Sequence, residues 1–235
     1  MEIGPIPWSI EFAYAVGLFA TDGCISTLAN GYPSMSFSSK DRGPVELFCR
    51  CAGVTAKIRE RRRFAFGKIR IGYEVGFSSV RLARWLRDIG IGPRKSLTIG
   101  ALRIPDPYFF DAVRGLLDGD GSVARYTDSR GRHCFSLRFY SGSQTHLCWL
   151  RQELSDRLGV DGSLVGTIRP KGLRQRPIFQ LQYGREASRR IAEFTYARAD
   201  APKLERKWIR WVAELESVAT RPTEASAAVR ARRCR

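Results

Sequence analysis

The chain is poor in the residues from which most metal and redox sites are built. It has two histidines, and its six cysteines (Cys24, Cys49, Cys51, Cys134, Cys148 and Cys234) form no C-x-x-C pair. The spacing that a zinc site or a disulfide framework needs is therefore missing. No run of eighteen apolar residues occurs, and Met1-Glu2-Ile3-Gly4-Pro5 has neither the basic nor the apolar part of a secretory signal. These absences predict an intracellular protein, cytoplasmic or associated with the nucleoid, with no membrane partner; an organelle or phage origin stays open. Acidic residues are also scarce: 23 Asp plus Glu face 40 Lys plus Arg, for a net charge of +17. At 43% hydrophobic the chain can still bury a core, which excludes a disordered polyelectrolyte.

Arginine is what the chain has in plenty. Thirty-three of the forty basic residues are arginines, whose planar fork suits phosphates and guanine edges. Residues 1–100 carry a net +7 and residues 101–235 a net +10, so the excess is spread over both halves. Nucleic acid is the leading partner. The plainer alternative is an arginine-rich surface that reflects genomic base composition.

One segment of the sequence is repeated. Residues 14–26, Y-A-V-G-L-F-A-T-D-G-C-I-S, align with residues 112–124, A-V-R-G-L-L-D-G-D-G-S-V-A, at an offset of 98. Gly17, Leu18, Asp22 and Gly23 match Gly115, Leu116, Asp120 and Gly121. After each copy come an alternating strand (Ser34 to Ser38; Phe135 to Tyr140), an amphipathic helix, two more alternating strands and another helix. Ile69, Ile71, Tyr73, Val75 and Phe77 read as one buried face, and Phe179, Leu181 and Tyr183 as another. The pattern predicts an α+β fold of two pseudo-symmetric αββαββα halves, residues 1–100 and 101–218, each with an antiparallel sheet. Residues 91–107 read as the linker. Leu204, Trp208, Trp211 and Leu215 mark a last helix, and residues 219–235 read as a basic tail.

Within the repeat, Ala13, Gly17 and Ala20, and Ala112, Gly115 and Gly119, form two helical stripes almost free of side chains. Glycine inside a helix costs up to ~1 kcal/mol against alanine, so its recurrence points to two helices crossing at close range. Ordinary tight packing within one domain is the alternative. Asp22 and Asp120 end the two helices, and a close crossing would bring them together, where like charges repel unless a cation lies between them. Carboxylates with the helix-terminal carbonyls of Thr21 and Gly119 are hard oxygen donors suited to Mg²⁺, with two or more ions expected. Such sites serve phosphodiester hydrolysis.

A-V-G-L-F-A-T-D-G (15–23) and V-R-G-L-L-D-G-D-G (113–121) resemble the two motifs of single-chain LAGLIDADG homing endonucleases, and the resemblance covers about residues 8–218. It implies that the halves pack through the motif helices and that the sheets form a saddle in the major groove of a long asymmetric duplex target. Cleavage of both strands across the minor groove would leave 3′ overhangs. The resemblance also implies a monomer in which Mn²⁺ replaces Mg²⁺ and Ca²⁺ binds without supporting cleavage. Asp22 and Asp120 match the metal-binding acids of the motifs. Position six is Asp118 in the second copy but Ala20 in the first. The family's basic residue near the site falls on Lys95 in the first half and on Lys203 or Lys207 in the second, with Lys207 preferred; solvated helix ends would explain these lysines equally well.

The outward sheet faces should then meet DNA. Candidates in the first half are Ser39, Lys40, Lys57, Arg59, Arg61, Arg63, Lys68 and Arg70. In the second they are Arg125, Arg138, Arg169, Lys171, Arg174, Arg176, Gln180 and Gln182. Arg suits guanine and Gln suits adenine, yet at least half of these contacts should go to phosphates. Ser141 and Ser143 border the expected site, although helix capping accounts for them nearly as well. Competing readings are an RNA maturase bound to intron RNA and a catalytically silent DNA-binding regulator. The ends show no intein splice-junction features, which predicts a free-standing protein.

Overall fold

The computed structural model describes residues 6–65, 67–167 and 178–219. The first half runs α1 (Ile10–Asp22), β1 (Gly23–Thr27), β2 (Pro33–Ser39), α2 (Arg42–Ala52), β3 (Ile58–Ala65), β4 (Lys68–Phe77) and α3 (Val80–Asp88). A short helix α4 (Lys95–Thr98) and a 3-10 turn (Asp106–Tyr108) interrupt the linker. The second half runs α5 (Phe109–Asp118), β5 (Ser122–Thr127), β6 (His133–Ser141), α6 (Gln144–Leu158), β7 (Ser163–Thr167), β8 (Ile178–Gln182), α7 (Arg185–Thr195) and α8 (Glu205–Ala219). Each half has one antiparallel four-stranded sheet, ordered β1-β2-β4-β3 and β5-β6-β8-β7. The α+β arrangement and the repeated element order are those expected. Among the described residues no helix is long and apolar enough to cross a membrane, and the described cysteines are all free thiols.

The ends of the elements follow from local chemistry. Ser9 caps α1 by accepting the Phe12 N–H at 3.1 Å, and Ser79 caps α3 by accepting that of Leu82 at 3.2 Å. Gly53 and Gly159 close α2 and α6 in the left-handed conformation, at φ 65° and 63°. Residues 13–20 of α1 and 111–118 of α5 are all buried, apart from the charged positions discussed below mostly by apolar or small side chains. One cluster of buried apolar side chains runs from Tyr14 and Leu18 through Leu116 and Leu117 to Trp211, so the halves share a continuous core.

The seam between the halves is a backbone contact. A Cβ on Gly17 would lie 2.9 Å from Gly115 Cα and 2.8 Å from Leu116 N, besides striking Ala112 O. A Cβ on Gly115 would meet Gly17 Cα at 2.9 Å and Leu18 N at 2.8 Å, and would strike Tyr14 O. No side chain fits, so glycine here provides proximity rather than unusual dihedrals.

Three expectations need correction. Ile69 and Ile71 are exposed, at 67% and 46%, with Phe64 at 78%, so this part of the β3–β4 ladder leaves its apolar side chains uncovered. Leu215 is also exposed. The buried stripe of α8 passes instead through Leu204, Lys207, Trp211 and Glu214. Asp120 lies two residues beyond the end of α5 rather than within it. The region 220–235 of the expected tail, and the positions of Arg169, Lys171, Arg174 and Arg176, lie outside the described residues.

Replacing Gly17 or Gly115 with alanine should destabilise the fold by ~1–3 kcal/mol, because overpacking against backbone outweighs the helix propensity gained. Urea unfolding monitored by circular dichroism measures this; an alanine variant as stable as the parent would refute the contact.

Candidate functional site

Asp22 ends α1 and Asp120 lies in the turn just past α5, and each opens toward one sheet. Asp22 lines a groove of about 770 Å³ against the first sheet, together with Ser39, Lys40, Arg61, Arg63 and Arg70. Asp120 lines a small cavity of about 60 Å³ on the second-sheet side, with Thr21, Lys95, Ser141 and His146. A side chain on Gly119 would collide with Thr21, so the turn bearing Asp120 sits directly on the end of α1.

The Asp22 carboxylate feels the charge of Asp120. Burial raises the Asp22 pKa to about 6, with the like charge of Asp120 adding to the shift and Lys95 and Lys207 opposing it. Asp120 is exposed where Asp22 is half-buried; loss of hydration still moves its pKa upward, against Lys95 and Lys207. Among the described residues, neither acid forms an ion pair; Asp22 only accepts a weak 3.4 Å hydrogen bond from Thr21 Oγ1.

Two buried lysines hold the ends of the motif helices, each only 4% exposed. Lys95 Nζ donates to Ala20 O at 2.8 Å and Thr21 O at 2.5 Å. Lys207 Nζ donates to Leu117 O at 2.5 Å, Asp118 O at 2.7 Å and Gly121 O at 2.8 Å, with Gly119 O at 3.4 Å. An ammonium at a helix C-terminus meets the unpaired carbonyls and the negative end of the helix dipole. Burial nevertheless lowers both lysines to about 8; Asp120 and Asp22 hold Lys95 from falling further, while for Lys207 the main opposing charge is Asp118, with Asp120 and Asp22 behind it. Lys203 lies apart, donating to Ala199 O at 2.5 Å and stacking over Trp208.

The donor set fits a hard divalent cation. Among the described residues, Asp22 and Asp120 have no ion-pair partner and are hard oxygen donors, whereas the expected carbonyl donors Thr21 O and Gly119 O accept hydrogen bonds from Lys95 and Lys207, at 2.5 and 3.4 Å. No group of three or more His, Cys, Asp or Glu side chains able to hold a metal occurs among the described residues.

The other sequence candidates divide by strand parity. Arg59, Arg61 and Arg63 oppose Glu74, Gly72 and Arg70 in the β3–β4 ladder; Arg61, Arg63 and Arg70 line the groove, and Arg59 shares their parity. Arg61 is ion-paired with Glu74. Lys57 lies exposed just before β3. Arg138 opposes Gln182 and Tyr140 opposes Gln180 on the outer face of the second sheet, where Gln180 Nε2 donates to Gln182 Oε1 at 2.8 Å. Arg125 has the opposite parity: it pairs with Phe135 and reaches Glu214 of α8 at 3.8 Å, so it faces the helices and not the groove. Ser143 acts as the N-cap of α6, accepting the His146 N–H at 3.4 Å. Arg206 also lines the large groove and was missed; its neighbour Lys207 was the only signal in sequence.

No protein-family model matches the chain. A segment of 189 residues is 28% identical to the ATP-dependent DNA helicase Hel308 of Thermococcus kodakarensis, covering 75% of this chain. The match spans only 16% of that helicase. Among solved structures, the homing endonuclease I-WcaI bound to its DNA recognition sequence has a TM-score of 0.60 at 13% identity, covering 90% of this chain and 95% of that one. I-DmoI in complex with DNA and Ca has a TM-score of 0.53 at 13% identity, covering 85% and 96%. Full-length DUF199/WhiA from Thermatoga maritima has a TM-score of 0.51 at 11% identity, covering 97% of this chain and 68% of that one. The fold is thus the one found in homing endonucleases.

The raised Asp22 pKa has a consequence for the metal-free protein. The folded state binds a proton more tightly than the unfolded chain, so this group's contribution to stability is full below about pH 4 and is lost as pH rises to about 6. Melting temperature should fall across that window, and Asp22→Asn should flatten the slope. Burial also raises Asp118 to about 6, so part of the slope should remain in that variant; an unreduced slope would contradict the raised Asp22 pKa.

Proposed function

We propose that this chain is a site-specific double-stranded DNA endonuclease of the single-chain LAGLIDADG homing type. The observation that carries this reading is that two motif helices in backbone contact bring Asp22, at the end of α1, within electrostatic reach of Asp120, just past the end of α5, in a chain with charge +17. Each half, residues 1–100 and 101–218, presents its sheet to one stretch of duplex. The chain acts as a monomer, because it supplies both aspartates itself.

On this reading Arg59, Arg61, Arg63, Lys68 and Arg70 track phosphates and guanine edges in the first half, joined by Ser39, Lys40 and Lys57. Arg138, Gln180 and Gln182 take the second. Asp22 and Asp120, with the carbonyls of Thr21 and Gly119, would hold divalent metal, Mg²⁺ first and Mn²⁺ as a substitute. When bound, that metal supplies an activated water and stabilises charge on the leaving oxygen. The two carboxylates orient what lies between them by being fixed to opposed helix ends. Lys95 and Lys207 fix those ends and keep positive charge close to the scissile phosphates. The crossing of α1 and α5 spaces one aspartate for each strand. Structures of I-DmoI with DNA and Ca, and with nicked target DNA and Mn, come from proteins of the same fold.

Asp22→Asn or Asp120→Asn should reduce double-strand cleavage of the target duplex by about 10²-fold or more while leaving binding within a few-fold of the parent. Full cleavage by either variant would remove the shared-site mechanism. Affinity should drop by about 10³-fold between ~50 and ~200 mM salt; a flat response in a filter-binding titration would remove the basic-face argument.

A further inference from the structure

The two lysine seats are built differently, and the difference begins at motif position six. In the second half this residue is Asp118, buried at the end of α5. Its Oδ2 accepts the hydroxyl of Tyr14, from the first half, at 2.9 Å and the backbone N–H of Leu204 at 2.7 Å. Leu204 is where α8 starts: its carbonyl accepts the N–H groups of Lys207 at 3.0 Å and Trp208 at 3.1 Å. Arg114, also on α5 and 1% exposed, ties the preceding chain by donating to Pro202 O at 2.7 Å and Thr195 O at 2.8 Å. The first turn of α8, which carries Lys207, is thus oriented by side chains of the motif helix whose end Lys207 holds.

The first half has none of this. At the repeat offset of 98, Asp118 and Arg114 correspond to Ala20 and Val16. The segment bearing Lys95 is held from the other side: Ser143 Oγ donates to Ile99 O at 2.5 Å, and His146 Nδ1 bonds Gly100 O at 2.8 Å. Gly142 packs so tightly on Ser96 O that a side chain there would strike it.

We propose that Asp118, braced by Tyr14, is a positioning residue dedicated to Lys207, so that the two lysine seats, built from different residues, are tuned separately and Asp118 sets the cleavage rate of one strand only. This deepens the endonuclease reading and, for its second readout, rests on it.

The first readout needs no DNA. Lys207 and Lys95 are equally buried, so in the parent both resist acetylation by an N-hydroxysuccinimide ester, followed by mass spectrometry. In Asp118→Ala the Lys207 amine should react about tenfold faster while Lys95 is unchanged, as expected of local rather than global opening. Asp118→Asn keeps an acceptor oxygen and should restore protection. Tyr14→Phe, which keeps the ring and serves if Asp118→Ala does not fold, should raise Lys207 labelling alone, by about threefold. Parallel rises at both lysines, or none at Lys207, would overturn the proposal. The second readout is strand-resolved cleavage of end-labelled target duplex. Asp118→Ala should slow the same strand that Lys207→Met slows and accumulate nicked duplex, whereas equal slowing of both strands would overturn it. A parent that cuts no DNA would refute the endonuclease reading and leave the labelling result to decide this one.

Discussion

The contact between Gly17 and Gly115 is the constraint on which the rest of the structure depends. Two helices normally pack with axes 8–10 Å apart because side chains lie between them; here each glycine faces the other's Cα and backbone carbonyls of the opposite helix. Everything below that crossing inherits its geometry. Thr21 is pressed onto Gly119, the turn at Asp120 is set against the end of α1, and the two carboxylates come close enough for Asp120 to raise the Asp22 pKa. The sheets follow, because β1 and β5 begin one residue after Asp22 and two residues after Asp120.

Such an arrangement brings together groups that oppose one another. Two acids are held together without ion pairs, and two lysines are buried against carbonyls with their pKa values lowered to about 8. Buried charges of this kind do little for stability. What they provide is an arrangement of charge fixed before any ligand arrives, which is the property that electrostatic stabilisation of a reacting phosphate requires. The large groove beside Asp22 and the small cavity beside Asp120 show that the fixed arrangement is not symmetric.

Much of this was legible in the sequence, for identifiable reasons. The repeated G-L-x-x-x-D-G spacing is local, so the helices, their glycine stripe and the two acids could be read directly. Alternation located the strands, but it could not say where the helix layer ends, which is why Ile69 and Ile71 were read as buried. Arg125 was read as facing DNA because its basic character was visible while its phase against Phe135 and the buried Glu214 was not. The face of α8 could have been phased correctly: Leu204, Lys207, Trp211 and Glu214 follow helical spacing, but two charged members hid the stripe. Tyr14, Asp118 and Leu204 meet only in three dimensions, over separations of 104 and 86 residues, and no spacing rule anticipates them.

The central claim is that two helix ends in contact place one acid for each strand of a bound duplex. It is tested most directly by selecting randomised duplexes for binding to the intact chain in Ca²⁺, then adding Mg²⁺ and sequencing the ends. The account predicts a long asymmetric site cut once on each strand with short 3′ overhangs. A site that is enriched yet never cut would contradict it and leave a DNA-binding regulator, and enrichment of no duplex at all would turn attention to intron RNA.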